Sequence, residues 1–382
     1  MTIYFVAGEA SGDQHGSALM RALRALAPAL DFVGRGGPKM QEIAGKQFLN
    51  WVDSAGVVGL WEVVKSYGYF REQFQRTLGE ITKINPEAVV LIDYPGFNLR
   101  LARALRKKQR RLKIIYYISP QVWAWNPGRI SQMAQLLDLM LCILPFEAEL
   151  YNKSGLRTVF VGHPMIEDLA VRKKPVERQA NLIGLFPGSR LREVRKIFPI
   201  MLKAANEIVR DRKGWQFEVA AASESLALEI NELLSNSSLE NVLRVVRGDT
   251  AGTMQRAFVG LVASGTATLE AAYFRLPFVL VYKVSWPTYV LGRLLIRTKH
   301  VGMPNVLAER EIVPEFLQYQ ARPTTIAHQV LKLANDQIAR GKMVSEFDAI
   351  IAKLGETGAS AKAARVIAEE VGAGASVVNG DR

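Results

Sequence analysis

The sequence predicts an α/β protein: two Rossmann-like parallel-sheet domains facing a cleft. Three observations lead there. The chain has 382 residues, too many for one ordinary compact domain and suited to two. Hydrophobic residues make up 49% and charged residues 22%, enough apolar material for two full cores and against disorder. Short apolar runs alternate along the whole chain with amphipathic helical stretches, the βαβ pattern of a doubly wound parallel sheet.

The elements follow in order. Ile3–Ala7 is a buried strand, followed by a helix over Gln14–Leu26. Asp31–Gly34 and Val89–Ile92 are further strands, the second leading into a helix from about Leu99 to Arg110. Lys113–Ile118 and Leu139–Leu144 continue the series. After Gly162-His163-Pro164 the pattern restarts with strands at Leu182–Phe186, Phe217–Ala221, Leu243–Val246, Gly260–Ala263 and Phe278–Tyr282. The charged, proline-bearing stretch Arg172–Arg178 reads as the boundary. The expected domains are therefore residues 1–170 and 171–349, with a C-terminal helix at about 350–375 packing back on the first. The residues from Gly372 to Arg382 read as a frayed tail.

Composition narrows the function. Lys and Arg number 49 against 36 Asp and Glu, a formal charge of +13 that favours an anionic partner: nucleic acid, nucleotide, phospholipid or acidic substrate. The single cysteine, Cys142, lies in an apolar run, so an intrachain disulfide is excluded and a thiol or zinc site is disfavoured. The N-terminal strand runs straight into a glycine loop, so no signal peptide is expected. No apolar stretch reaches the ~18 residues needed to span a bilayer, so a cytoplasmic protein with at most peripheral membrane contact is expected.

Ligands of open parallel sheets bind at the carboxyl ends of the strands, which directs attention to four loops. Gly8-Glu9-Ala10-Ser11-Gly12-Asp13 offers glycines for close backbone approach and a helix start, making Glu9, Ser11, Gly12 and Asp13 candidate ligand contacts. A tight turn capped by Ser11 and Asp13 satisfies the same pattern. Asp93 ends the Val89–Ile92 strand, where a carboxylate can take a proton from a sugar hydroxyl or simply cap a turn. Pro187-Gly188-Ser189-Arg190 joins a strand to a helix bearing Glu193. Its glycine turn, helix start and fixed guanidinium charge make an anion site. Ser264-Gly265-Thr266 repeats that arrangement, and Glu270, a turn further on, could bridge two ribose hydroxyls or face solvent.

These loops, taken together, resemble the lipid-A-disaccharide synthase family. The resemblance rests on Gly8–Asp13, Val57–Val63, Asp93–Asn98, Ser119-Pro120-Gln121-Val122-Trp123-Ala124-Trp125, Leu144–Glu147, Gly162-His163-Pro164, the Gly188–Glu193 loop, Ser264–Glu270 and Pro304-Asn305-Val306-Leu307-Ala308, all in the family's order. It implies a type-B glycosyltransferase fold and an inverting transfer. The donor would be UDP-diacylglucosamine and the acceptor the 6-hydroxyl of diacylglucosamine 1-phosphate. The products would be a β-1,6-linked disaccharide phosphate and UDP, with no cofactor and no metal required. It further implies Asp93 as general base, with Gly188, Ser189, Arg190, Glu193, Ser264, Gly265, Thr266, Glu270 and Asn305 binding the nucleotide or shaping its pocket. It allows a homodimer. The family often carries a second acid after the proline of the Asp93 loop, where this chain has Gly96.

A lipid-handling enzyme is expected to touch the anionic inner face of the cytoplasmic membrane. Leu60, Trp61, Val63 and Val64 are the apolar candidates, and the basic helix from Arg100 to Arg111 is the source of electrostatic attraction. The alternatives are another UDP-sugar enzyme, such as an epimerase or a peptidoglycan-precursor transferase, and a basic nucleic-acid-binding protein. The basic residues do not interleave with stacking aromatics in any nucleic-acid motif, so no nucleic-acid partner is expected.

Overall fold

The apolar runs become strands of two separate all-parallel sheets in a computed structural model that describes residues 1–52, 67–235, 237–286 and 298–373. The first contains β1 (Thr2–Ala7), β2 (Asp31–Gly36), β3 (Phe48–Asn50), β4 (Ala88–Ile92), β5 (Lys113–Tyr117), β6 (Leu139–Cys142) and β7 (Thr158–Phe160), in the order β3-β2-β1-β4-β5-β6-β7. The second contains β8 (Gln179–Phe186), β9 (Gln216–Ala221), β10 (Leu243–Arg247), β11 (Ala257–Ala263), β12 (Phe278–Tyr282) and β13 (Glu315–Leu317), in the order β10-β9-β8-β11-β12-β13. In each sheet the order reverses beside the first strand, between β1 and β4 and between β8 and β11. That reversal opens a crevice at the strand ends where neighbouring loops diverge.

The chain divides into two compact units, Met1–Pro164 with Leu354–Arg382, and Met165–Lys353. The division precedes the charged stretch Arg172–Arg178, because the helix Met165–Arg172 packs on the helices Ala267–Tyr273 and Thr250–Arg256 of the second unit. The C-terminal region is two helices rather than one. Gln337–Lys353 packs on Pro323–Asn335 in the second unit, and Ala359–Glu370 packs on Ala10–Leu26 in the first. Ala363, Ala364 and Ile367 thereby join the apolar cluster of Ile3, Phe5, Leu19 and Leu23, which covers one face of the first sheet. Glu370 fixes the end of this helix through ion pairs with Lys113 (2.9 Å) and Arg157. The other face is covered by a second cluster that includes Tyr4, Val89, Leu101, Leu105 and Tyr116. Strands buried on both faces explain why the sequence shows continuous apolar runs instead of alternation.

Helix starts fall earlier than the sequence pattern suggests. The first helix begins at Ala10, so Ser11, Gly12 and Asp13 sit in its first turn and not in a loop. The helix after β4 begins at Pro95, where proline's fixed φ and missing N–H suit a first helical position.

Candidate active site

The first unit builds its site where β1 and β4 diverge. Asp93 and Tyr94 follow β4 with φ of +46° and +50°, two consecutive non-glycine residues in the left-handed region. Such strain persists only where surroundings over-determine it. Here the Asp93 amide donates to the Tyr117 carbonyl (3.0 Å). The Asp93 carbonyl accepts from the Tyr116 hydroxyl (2.5 Å) and the buried Asn98 Nδ2 (2.8 Å). The backbone is thus pinned. Burial pushes that carboxyl above the usual aspartate range, the negative charge of Glu9 adds to the effect, and a hydrogen bond from the Tyr94 backbone opposes it.

Several residues of the first loop serve this geometry rather than a ligand. A Cβ on Gly8 would lie 2.2 Å from the Tyr94 ring, so that glycine makes room for an aromatic side chain. Trp51 packs edge-on against both Tyr94 and Phe97, and its indole N–H donates to the Ala7 carbonyl (2.6 Å). Gly12 packs on Ala7. The buried Asp13 carboxylate accepts from the amides of Gly37 (3.0 Å), Lys39 (3.1 Å) and Met40 (2.9 Å). It therefore caps the helix Pro38–Ala44 and not its own helix. Gly12 and Asp13, expected as ligand contacts, are placed as structural groups. Glu9 and Ser11 remain exposed at the helix start.

One buried acid escaped the sequence reading of site residues. The Glu147 side chain is fully buried and accepts from Ser119 Oγ (2.5 Å), Trp123 Nε1 (2.9 Å) and the Leu144 amide (3.2 Å). Burial pushes its carboxyl up to about 7 against these hydrogen bonds. Glu147 ties the Ser119–Trp125 segment to the helix Pro145–Asn152. The available signal was an acid three residues after a helix N-cap.

The second unit places its two candidate loops at the β8/β11 switch. Gly188 has φ +117°, and a Cβ there would meet the Glu193 carboxylate at 2.5 Å, so both conformation and space demand glycine. Arg190 is the N-cap residue of the 21-residue helix Leu191–Asp211 but makes no side-chain cap bond. Its side chain is 79% exposed and pairs with Glu193 at 3.2 Å. Gly265, with φ +135°, faces open space, and Thr268 Oγ1 donates to its carbonyl (2.8 Å), which fixes the second loop. Both loops line one cavity of about 740 Å³, with Gly188, Ser189, Arg190 and Glu193 from one and Ser264, Gly265, Thr266 and Glu270 from the other. Burial raises the Glu270 carboxyl above the ordinary glutamate range, with Arg172 opposing and Asp168 adding.

Asn305 is not brought to this cavity. It is fully buried; its Nδ2 donates to the Val313 carbonyl and Glu315 Oε1 (2.8 Å each). Its Oδ1 accepts from the amides of Ile312 (2.8 Å) and Val313 (2.9 Å). All its hydrogen-bonding capacity is spent on holding the segment before β13. The membrane candidates Leu60, Trp61, Val63 and Val64 lie outside the described residues. Among the described residues no helix is long and apolar enough to cross a membrane, and no group of three His, Cys, Asp or Glu could hold a metal ion.

Two parallel α/β units, each with its loops at a topological switch point, define a type-B glycosyltransferase fold. A UDP co-structure of MnaA from S. aureus superposes with a TM-score of 0.64 at 12% identity, covering 97% of both chains. A calicheamicin glycosyltransferase superposes with a TM-score of 0.55 at 15% identity, covering 99% of both. These likenesses are of fold. The family is shown by sequence: a family model described as lipid-A-disaccharide synthetase matches residues 3–370, and the chain belongs to that family. Lipid-A-disaccharide synthase of Geobacter sulfurreducens is 37% identical over 97% of each chain. That of Nitrosococcus oceani is 36% identical over 96% of this chain and 94% of the relative.

Proposed function

We propose that the protein transfers a 2,3-diacylglucosaminyl group from its UDP donor to the 6-hydroxyl of 2,3-diacylglucosamine 1-phosphate. The observation that carries the reading is the cavity at the β8/β11 switch. Two glycine turns, a helix N-terminus and an exposed arginine converge there, as a nucleoside diphosphate requires.

In this mechanism Asp93 accepts the proton of the acceptor 6-hydroxyl. The oxygen forms a bond to the donor's anomeric carbon from the face opposite UDP. The bond from that carbon to the pyrophosphate oxygen breaks, and UDP leaves with the electron pair. Asp93 is suited to the task because burial and Glu9 raise its proton affinity towards that of the reacting group. On the leaving-group side, Arg190, Ser189 and the amides at the start of Leu191–Asp211 stabilise the charge that develops on UDP. Glu193 orients Arg190, and Glu270 accepts from the ribose. Ser264, Gly265 and Thr266 shape the second wall. The first unit thus handles the acceptor and the second the donor.

The same reading puts the enzyme at the inner face of the cytoplasmic membrane, with Leu60, Trp61, Val63 and Val64 as its apolar lip. Replacing Leu60 and Trp61 by Ser should reduce binding to anionic vesicles more than it reduces stability. Unchanged binding would move the lip elsewhere. The function itself is tested by incubating the protein with UDP-diacylglucosamine and diacylglucosamine 1-phosphate and weighing the product by mass spectrometry. A disaccharide monophosphate with equimolar UDP is expected. UDP without disaccharide, or an epimerised donor, would refute the transfer.

A further inference from the structure

The helix Pro95–Lys108 carries arginines of two kinds. Arg106 is neutralised: its guanidinium pairs with Asp138 (2.6 Å) and donates to the carbonyls of Leu136 and Leu112. Arg100 and Arg103 are exposed and line a groove of about 570 Å³ together with Pro95, Gly96, Arg129 and Gln132. No acidic residue lines that groove. Among the described residues none of its three arginines has a carboxylate partner. Arg103 donates to Gln132 Oε1 (3.1 Å), and the half-buried Arg129 stacks 4.6 Å over the Trp125 ring. Gly96 leaves open space at the groove's mouth.

Three cations around one concavity repel each other unless an anion neutralises them. Guanidinium forks match phosphate oxygens in pairs. The stacking of Arg129 on Trp125 and its neighbour Gln132 hold part of this constellation in place before any ligand arrives. The groove also begins at Pro95 and Gly96, within three residues of Asp93. A sugar held at Asp93 would thus have this groove as its neighbour along the start of the helix Pro95–Lys108.

We propose that this groove is the subsite for a phosphate monoester on the acceptor sugar, with Arg100, Arg103 and Arg129 as its ligands. The assignment rests on the reading of Asp93 as the acceptor's base. It gives the arginines a role in acceptor selection, where the sequence suggested only general attraction to a lipid surface. A phospholipid headgroup carries related phosphate chemistry, so the test separates the two sources.

The experiment compares the wild type with Arg100→Gln/Arg103→Gln and with Arg129→Lys, each checked by thermal melting. Steady-state kinetics are run in detergent micelles, with diacylglucosamine 1-phosphate or its phosphate-free analogue as acceptor. For the phosphorylated acceptor, KM should rise about 10- to 100-fold in the double variant, the range of a lost charge-assisted hydrogen bond. Arg129→Lys, which keeps the charge and loses the fork, should show a smaller rise. The KM for the donor, and the rate with the phosphate-free acceptor, should match the wild type. Equal effects on both acceptors, or none, would overturn the proposal. So would unchanged KM values combined with lost binding to phosphatidylglycerol vesicles, which would make the groove a headgroup site. If the wild type forms no disaccharide at all, the transferase reading fails separately. Calorimetry with glucosamine 1-phosphate then decides the groove: binding lost in the double variant supports it, and equal binding overturns it.

Discussion

Replacing Arg190 by alanine separates ligand binding from folding. In the free protein this side chain is 79% exposed and forms a 3.2 Å pair with Glu193. A surface pair of that kind contributes about 0–1 kcal/mol, and the residue's N-cap role is carried by its backbone alone. Stability should therefore change by less than about 1 kcal/mol. UDP binding should change far more. If the guanidinium meets the pyrophosphate, the variant loses a charge-assisted hydrogen bond of about 1.5–3 kcal/mol, roughly a 10- to 150-fold rise in Kd. Calorimetric titration with UDP at fixed ionic strength reads the affinity, and urea unfolding reads the stability. Arg190→Lys should fall between wild type and alanine, because it keeps the charge without the planar fork. A Kd within twofold of wild type would remove the pyrophosphate from the Gly188–Arg190 loop. A large loss of stability would show that Arg190 holds the loop rather than the ligand.

Asp93→Asn keeps shape but cannot accept a proton; turnover should fall by about 10²- to 10⁴-fold with UDP affinity unchanged, and near-normal turnover would exclude Asp93 as base. Glu9→Gln removes one of the two influences that raise the Asp93 carboxyl, after burial. A base whose proton affinity falls stays ionised to lower pH, so the acid limb of the kcat profile should move to lower pH; an unmoved limb would deny the coupling. Asn305→Ala leaves the buried Val313 amide, the half-buried Ile312 amide and a carbonyl without partners and should cost about 2–4 kcal/mol in urea unfolding, while the folded fraction binds UDP as the wild type does. Weakened UDP binding at unchanged stability would restore Asn305 to the site.

The sheets were legible because β4, β11 and most of β1, with β8 from Leu182 onward, are buried and apolar on both faces. β3, β7 and β13 were not, since three residues carry too little pattern to distinguish a strand from a loop. The loops at the strand ends were also legible, as glycines and chemistry-bearing residues following apolar runs. What each residue does there was less so. Gly8 reads as a ligand glycine until the Tyr94 ring is seen filling its space, and Asp13 reads as a local cap until its carboxylate is found on amides 24 to 27 residues away. Asn305 and Glu147 make the same point: contacts between segments distant in sequence decide whether a polar residue serves the fold or a ligand. Local spacing contains no record of those contacts.

The helix Ala359–Glu370 has a consequence for how the protein is made. The first unit closes its apolar cluster with Ala363, Ala364 and Ile367, yet those residues are synthesised after the whole second unit. Translation at about 5–20 residues per second puts roughly 10–40 seconds between the two halves of that cluster. Through that interval the face bearing Leu19 and Leu23 has no helix to cover it, and the second unit receives its last residue before Ala359–Glu370 is made. The order in which the two units have all their residues is thereby reversed from the order in which their synthesis begins. The unit that emerges first is completed last, and the ribosome-bound nascent chain carries an uncovered apolar stripe that a chaperone would find before its own C-terminal helix does.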